Sequence, residues 1–219
     1  MPFVIAIDGP AGAGKSTIAR RLADRLGYTY IDTGAMYRAI ALWAAREGIE
    51  LEDGYRLEQL ARAAAIELLP QRQVRLNGED VSTAIRASEI SVAASKVAAI
   101  SAVRAALVEK QRQMADSTNV VMEGRDIGTV VFPDARVKIF LDADPGERVR
   151  RRVGEQHDVP PERLAAQIAE RDERDRHRAQ SPLIQAPDAV YLNSTGLTEE
   201  EVEETILKIV RGRISNGKG

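Results

Sequence analysis

Short apolar runs recur along the chain, and each gives way to a longer stretch with helical spacing. The five runs lie at residues 3–7, 28–31, 119–123, 137–141 and 190–192. Apolar runs of this length that lack alternation are typical of strands buried on both faces, and apolar residues three or four positions apart indicate helices packed on a sheet. The pattern predicts an α/β fold in which a five-stranded, doubly wound parallel sheet is flanked by helices.

Capping residues indicate where several of these helices begin and end. Gly27 follows the first helical pattern and should end that helix, and Asp32 or Thr33 should cap the helix after the second strand. Thr198 and Glu201 have the spacing of a capping box for a helix near the end of the sequence. These signals are local, so they predict helix ends without reference to the tertiary fold.

One segment interrupts the alternation of strand and helix. Residues 66–69 and 73–76 are typical of strands, and Asn77-Gly78 is a two-residue hairpin turn. Such antiparallel pairing does not belong in a parallel sheet, so we expect an inserted subdomain at about 66–115, completed by Ala-rich helices at about 87–98 and 101–115. The core then comprises about 1–65, 116–147 and 179–219, and an arginine-dense region of two helices, broken around 157–161, covers about 148–178.

Composition narrows the chemistry that the protein can use. The 219 residues include no cysteine, which excludes disulfides, thiol nucleophiles and Cys-ligated metal sites, and only two histidines, which leaves little for a His-based metal site. A formal net charge of −2 gives no electrostatic signature for nucleic acid. No apolar run approaches the roughly 20 residues of a membrane span. We therefore expect a cytoplasmic protein whose partners are neither nucleic acids nor membranes.

The residues between the first strand and the first helix have the spacing G-x-x-x-x-G-K-[ST] of a phosphate-binding P-loop. In such a turn, backbone N–H groups point into one concavity at the positive end of a helix, where anionic oxygens bind. Lys15 can reach the β- and γ-phosphates of a nucleotide, and the Ser16 hydroxyl can bind Mg²⁺. The motif leaves the acceptor open, because kinases, switches, motors and transporters all use it.

Further polar residues follow the predicted strands. Asp32, Gly124-Arg125-Asp126 and Asp142 stand where strands end, and the carboxyl ends of parallel strands meet at one edge of a sheet. Arg125 follows a glycine directly after a buried strand, which favours a functional role over packing. Asp32 and Asp126 could also simply cap a helix and a turn. Single arginines of the region 148–178 could equally lie on a solvated helix face.

Several motifs occur in a fixed order along the chain. They are IDGPAGAGKST at 7–17, DTGAMYR at 32–38, AASKVA at 93–98, VR at 103–104, EGRDIGTVVFPDA at 123–135 and ERDERDRHR at 170–178. The series resembles the bacterial cytidylate kinases over essentially the whole chain. This resemblance implies a P-loop NTPase fold whose insert binds the nucleoside monophosphate and whose arginine-dense region is a helical lid. It also implies a monomer that phosphorylates CMP and dCMP, with ATP as co-substrate and with Mg²⁺.

The same resemblance implies a role for each matching position. Arg38, Arg125 and Arg178 would bind the CMP phosphate and, with Lys15, act on the transferring group. The cytosine would be contacted by Ser95, Arg104 and Asp126, with Thr33 nearby, and the ribose by Arg171 and Asp175. Ser16 would be the metal ligand. The ATP phosphates would be bound by Gly9, Pro10, Ala11, Gly12, Ala13, Gly14, Lys15, Ser16 and Thr17.

Several points stay open at this level. Glu123 stands where the family pattern has Asp, and any of Arg148, Arg151 and Arg152 could close over ATP. The rival functions are a kinase for UMP or for a small metabolite such as shikimate, and a nucleotide-binding regulatory protein. The sequence has no Asn-Lys-x-Asp motif for reading guanine, which argues against a GTPase-like switch. No catalytic base is expected, because a phosphate acceptor with a second pKa of about 6 is already largely ionised.

Overall fold

The computed structural model describes residues 2–155 and 159–216, in which the chain forms two compact units. The sheet unit comprises Met1–Ile31 and Ala115–Gly219, and the helical unit comprises Asp32–Met114. The helical unit therefore begins earlier along the chain than the insert expected from about residue 66. The functional division into core, insert and lid stays a prediction.

Eight strands and eight α-helices are present in the described residues. The strands are β1 Val4–Asp8, β2 Thr29–Asp32, β3 Ile66–Leu68, β4 Val74–Leu76, β5 Glu79–Asp80, β6 Val120–Gly124, β7 Val137–Asp142 and β8 Val190–Asn193. The helices are α1 Lys15–Leu26, α2 Thr33–Arg46, α3 Gly54–Ala63, α4 Ser88–Val97, α5 Ser101–Met114, α6 Pro145–Glu155, α7 Pro161–His177 and α8 Glu199–Asn216.

The sheet unit contains the predicted five-stranded parallel sheet, in the order β2-β6-β1-β7-β8. Strand β1 lies in the centre and is buried along its whole length. It pairs in parallel with β6 and β7, and the register places Asp8 beside Gly124 on one side and Phe140 on the other. Consequently the P-loop and the Gly124-Arg125-Asp126 segment leave neighbouring strands at the same edge of the sheet.

Helices α1 and α8 pack against this sheet through apolar residues such as Leu22 and Ile206, which are fully buried. Gly27 ends α1 in the left-handed conformation, as predicted. The capping box of α8 is also confirmed, because the backbone N–H of Thr198 donates to Glu201 at 2.8 Å and that of Glu201 donates to the Thr198 hydroxyl at 3.2 Å.

The helical unit contains four helices, α2 to α5, and the small antiparallel sheet β3-β4-β5. The predicted Asn77-Gly78 hairpin joins β4 to β5, with φ of 52° and 85° at these two residues. Asp32 caps α2 by accepting a hydrogen bond from the Ala35 N–H at 2.9 Å. The core of this unit is largely helical and includes Met36, Leu57 and Leu107.

The arginine-dense region forms two helices, as the sequence predicts, with α6 ending at Glu155 and α7 beginning at Pro161. Residues 156–158, which include His157, overlap the expected break and lie outside the described part of the chain. Within that described part, no single helix is long and apolar enough to cross a membrane, although α4 and α5, bent by 100°, pass the same length and composition test as a pair.

Candidate functional site

The P-loop turns sharply away from the end of β1. At Gly9, with φ of 150°, a Cβ atom would lie 1.9 Å from the backbone oxygen of Leu141, so no other residue fits without moving β7. At Gly12, with φ of 76°, a Cβ atom would lie 2.9 Å from the backbone oxygen of Arg148. The motif glycines are therefore required both by the turn itself and by the close approach of β7 and α6.

Lys15 begins α1 and is buried, and its Nζ donates to the backbone oxygen of Pro10 at 2.6 Å. Burial lowers its pKa, the charge of Arg125 lowers it further, and the charge of Glu123 opposes both. The lysine thus lies in an excess of positive charge, which an anionic phosphate would relieve. The next residue, Ser16, is exposed at the first turn of the helix.

Asp8, the last residue of β1, is a site residue that the sequence reasoning missed. Its two carboxylate oxygens accept the backbone N–H groups of Ile127 at 2.8 Å and of Gly128 at 2.7 Å. Burial raises its pKa to about 6, although both hydrogen bonds favour the charged form. A charged residue at the end of a buried strand, directly before the P-loop, was the available signal, and it is the same signal that singled out Arg125.

Asp175 gathers three of the predicted substrate-binding arginines. Arg125 donates from Nε to Asp175 Oδ2 at 2.9 Å, and Arg171 Nε lies 3.9 Å from the same oxygen. The Nη1 atom of Arg178 lies 4.0 Å from the other carboxylate oxygen. Burial alone would raise the pKa of Asp175, but the charges of Arg125, Arg171 and Arg178 outweigh burial and lower it.

Arg178 extends this cluster to Asp126. Its side chain is 4% exposed, Nη2 lies 3.9 Å from Asp126 Oδ1, and Nε donates to the backbone oxygen of Ser181. Asp126 is also buried, at the start of a single π-helical turn over Ile127–Val131. The structure thus brings together the residues that the sequence predicts in the sheet unit: Lys15, Arg125, Asp126, Arg171, Asp175 and Arg178.

A second buried pair, Arg148 with Asp172, attaches helices α6 and α7 to the P-loop. The guanidinium of Arg148 donates to the backbone oxygens of Ala143 at 3.1 Å and Ala11 at 3.0 Å, as well as to the Asp172 carboxylate. The Ala11 N–H donates in turn to Asp172 at 3.2 Å. These contacts hold the loop in place, which indicates a structural role for Arg148.

Arg151 lies at a different position on the same loop. It donates to the backbone oxygen of Ala13 at 3.2 Å and to the hydroxyl and backbone oxygens of Ser194, both at 2.9 Å. Its side chain keeps 23% of its surface exposed, whereas that of Arg148 keeps 7%. Of the two, Arg151 is the better placed to reach a nucleotide on the P-loop.

The helical unit presents its own group of predicted site residues. Arg38 Nη2 donates to Asp32 Oδ2 at 2.8 Å, and Arg38 Nε is buried with no hydrogen-bond partner among the described residues. Arg104 lies over the ring of Tyr37, 5.4 Å from its centroid, and donates to the backbone oxygen of Ala98 at 3.1 Å. Thr33, Ser95 and Arg104 are all buried. Burial to this degree is unusual for an arginine and favours a functional role for Arg104.

Comparison with known proteins identifies the family. The family model described as cytidylate kinase matches residues 5–212. A cytidylate kinase from Solibacter usitatus is 63% identical over 98% of this chain and 95% of its own. This chain belongs to the cytidylate kinase family. Another member, from Caldanaerobacter subterraneus subsp. tengcongensis, is 52% identical over 98% of this chain and 96% of its own.

The fold of this family member is shared with more distant kinases. The solved structure of a gluconokinase from Sinorhizobium meliloti matches it with a TM-score of 0.52 at 13% identity, over 100% of this chain and 98% of that one. At this identity the likeness concerns the fold alone. It agrees with the P-loop kinase architecture that the sequence predicts.

The donor set for a metal ion is small. Residues 2–155 and 159–216 contain no group of three or more His, Asp or Glu side chains that could hold a metal ion. The chain does offer the exposed Ser16 hydroxyl at the start of α1. This fits Mg²⁺, which keeps several waters and is usually bound through substrate phosphates with one or two protein ligands.

Proposed function

We propose that this protein is a (d)CMP kinase, which transfers the γ-phosphoryl group of ATP to the phosphate of CMP or dCMP. The observation that carries the proposal is the cluster around Asp175, in which Arg125, Arg171 and Arg178 converge beside the P-loop lysine of a cytidylate kinase family member. Phosphoryl transfer needs this kind of positive charge, because negative charge spreads over the equatorial oxygens of the transferring group.

The reaction balances without a protein base. A phosphate oxygen of CMP attacks the γ-phosphorus of ATP, the bond from that phosphorus to the bridging oxygen breaks, and the electron pair leaves with ADP. The attacking oxygen is already largely ionised near neutral pH, since the second pKa of a phosphate monoester is about 6. The chain has to bind, align and neutralise the two phosphates.

The P-loop supplies the binding site for ATP in this proposal. The loop of residues 9–17 binds its phosphates through backbone N–H groups, of which Pro10 has none and that of Ala11 is bound to Asp172, and through the Lys15 ammonium. Lys15 then exchanges the Pro10 oxygen for phosphate oxygens. Mg²⁺, when bound, supplies further charge neutralisation, and Ser16 is the residue that would hold it. Arg151, between Ala13 and Ser194, is the arginine we assign to ATP.

The acceptor-binding residues follow from the family relationship and from their chemistry. Arg38, Arg125 and Arg178 can each bind a phosphate with two parallel hydrogen bonds. Cytosine presents an amino donor beside two acceptors, so its selection needs an acceptor such as Asp126 and donors such as Arg104 and Ser95. Thr33 lies near the base, and Arg171 and Asp175 contact the ribose.

An acceptor panel tests the substrate. ADP release is measured with ATP and CMP, dCMP, UMP, AMP or shikimate in parallel. We expect CMP and dCMP to be the preferred acceptors by at least tenfold in kcat/KM. Faster turnover of UMP or shikimate would replace the proposed acceptor, and nucleotide binding with no acceptor-dependent ADP release would favour a regulatory protein.

Replacement of Lys15 by Ala tests the separation of donor and acceptor binding. We expect kcat to fall by about 1,000-fold, because a charge aimed at the transferring group is lost, while the Kd for CMP stays within a fewfold. CMP binding is followed by calorimetry, and Lys110→Ala, which removes a lysine whose Nζ donates to the backbone oxygen of Arg62, is the control. Equal loss of binding and turnover would contradict the assignment.

The monomeric state and cytoplasmic location stay predictions.

A further inference from the structure

Asp8 connects the P-loop, which carries Lys15, to the segment that carries Arg125 and Asp126. It ends β1 and immediately precedes Gly9, the first residue of the P-loop. The residue is 5% exposed, and its carboxylate accepts the backbone N–H groups of Ile127 and Gly128 at 2.8 and 2.7 Å. One side chain therefore binds the backbone that directly follows Arg125 and Asp126.

The segment that Asp8 binds has an unusual backbone. After Asp126, the chain makes a π-helical turn in which the Asp126 oxygen accepts the N–H groups of Val130 at 2.8 Å and Val131 at 3.2 Å. The N–H groups of Ile127 and Gly128 point out of the start of this turn and are bound by Asp8. Without that carboxylate, two buried donors would lose their partner, and the turn that orients Asp126 would lose its anchor.

The surroundings leave little room for the anchor to shift. A Cβ atom at Gly128 would lie 3.1 and 3.3 Å from side-chain carbons of Lys138 and 3.4 Å from Asp8 Oδ2. Lys138 is itself buried, and its Nζ donates to Asp188 at 2.9 Å. The turn thus packs between the carboxylate of Asp8 on β1 and the aliphatic part of Lys138 on β7. A displacement of β1 would therefore displace the turn.

We propose that Asp8 is a positioning residue for phosphoryl transfer, which holds the Arg125–Asp126 segment in register with Lys15 through two backbone hydrogen bonds. This inference rests on the proposed function. A carboxylate is needed because both of its oxygens accept, whereas an asparagine at this position accepts with one atom and turns an N–H₂ group toward a backbone N–H. Asp8 itself touches neither nucleotide in this role.

The test compares Asp8→Asn with Asp24→Asn, which changes an exposed carboxylate on α1 of the same unit. The assay uses the acceptor that the wild-type enzyme turns over, so failure of the wild type with CMP reports on the proposed function alone. We expect Asp8→Asn to lower kcat by 30-fold or more and to leave KM for ATP within threefold of the wild-type value. The reason is that the P-loop stays intact, whereas Arg125 and Asp126 move relative to Lys15. The amide NMR signals of Ile127 and Gly128 should shift upfield as their carboxylate acceptor is lost.

A kcat for Asp8→Asn within twofold of that for Asp24→Asn would overturn the inference, as would a parallel rise in KM for ATP. If Asp8→Asn does not fold, Gly128→Ala tests the same connection, because its methyl group must displace Lys138 or Asp8 by a few tenths of an ångström. We expect a fall in kcat of at least fivefold for that variant, and a value within twofold of the wild type would overturn the inference.

Discussion

Asp8 and Asp175 are two buried carboxylates of the sheet unit whose pKa values are shifted in opposite directions. Asp8 is 5% exposed and is bound by two backbone N–H groups, and burial raises its pKa to about 6. Asp175 is 4% exposed and is surrounded by three arginines, whose charges outweigh burial and lower its pKa. The two residues have the same side chain and nearly the same exposed fraction, so their different partners account for most of the contrast in pKa.

The partners also decide what each carboxylate can do. A backbone N–H in a packed turn stays where the fold puts it, so Asp8 suits a fixed anchor. A guanidinium on a flexible stem can leave one anion for another, so Asp175 suits a counterion that holds arginines ready for a phosphate. We therefore expect variants of Asp175 to alter substrate affinity and turnover together, and variants of Asp8 to alter turnover with little effect on ATP binding.

Of the variants that separate the two carboxylates, Asp175→Asn is expected to have the largest effect. Three arginines lose their shared counterion and repel one another, so kcat/KM for CMP should fall by about 100-fold or more, since breaking a buried charge pair costs several kcal/mol. Steady-state kinetics and thermal unfolding measure the change. Glu173→Gln is the matched control, because Glu173 lies on the same helix with its side chain 73% exposed. A loss of less than tenfold would show that Asp175 is not the centre of the cluster.

The pH dependence of stability should separate the two carboxylates. Between pH 3.8 and about 6, folded protein keeps a proton on Asp8 that the unfolded chain has released. The free energy of unfolding of the wild type should therefore fall relative to Asp8→Asn as pH rises through this range, by about 3 kcal/mol in total, and then stay constant. Urea unfolding from pH 3 to pH 7 measures this change, of which about 2 kcal/mol should fall between pH 4.5 and pH 7. Asp126 and Lys15 also act on Asp8, with opposite signs.

Asp175 should behave in the opposite way. Its folded-state pKa lies below 3.8, so its ionised form stabilises the folded protein above that pH. The difference in unfolding free energy between wild type and Asp175→Asn should be constant from pH 4.5 to pH 7 and should shrink only at lower pH. The same slope for both variants would mean that the contrast in their partners has no thermodynamic consequence.

The smallest effect is expected for Arg171→Lys. Arg171 lies 3.9 Å from Asp175, with its side chain 27% exposed, so its contribution to the cluster is weaker and partly screened. We expect KM for CMP to rise about threefold to fivefold with kcat nearly unchanged, because lysine keeps the charge and loses the planar fork. Arg150→Lys, at a side chain 75% exposed, is the control. Arg125→Lys is measured in parallel, and an equal effect of the two variants would contradict the weaker contribution expected of Arg171.

Local sequence signals were sufficient to predict several turns, helix ends and strands of this protein. The P-loop spacing, the Gly27 and Thr198 caps and the Asn77-Gly78 hairpin each depend on a few adjacent residues, and all occur where they were predicted. The buried apolar strands likewise predicted the parallel sheet, because a short run that is apolar on both faces has few other places to lie. These features need no knowledge of distant residues.

Which charged residues come into contact depends on the tertiary structure. Asp8 binds N–H groups 119 and 120 positions away, and Arg148 binds Ala11 at a separation of 137. Nothing in their local sequence distinguishes Arg148, which holds the P-loop, from Arg151, which lies beside Ser194. A side chain acquires its partners from the packing of distant segments, and burial then multiplies the energetic consequence of each partner. The residue types were therefore readable from the sequence, but the contacts that distinguish Asp8 from Asp175 come from the fold.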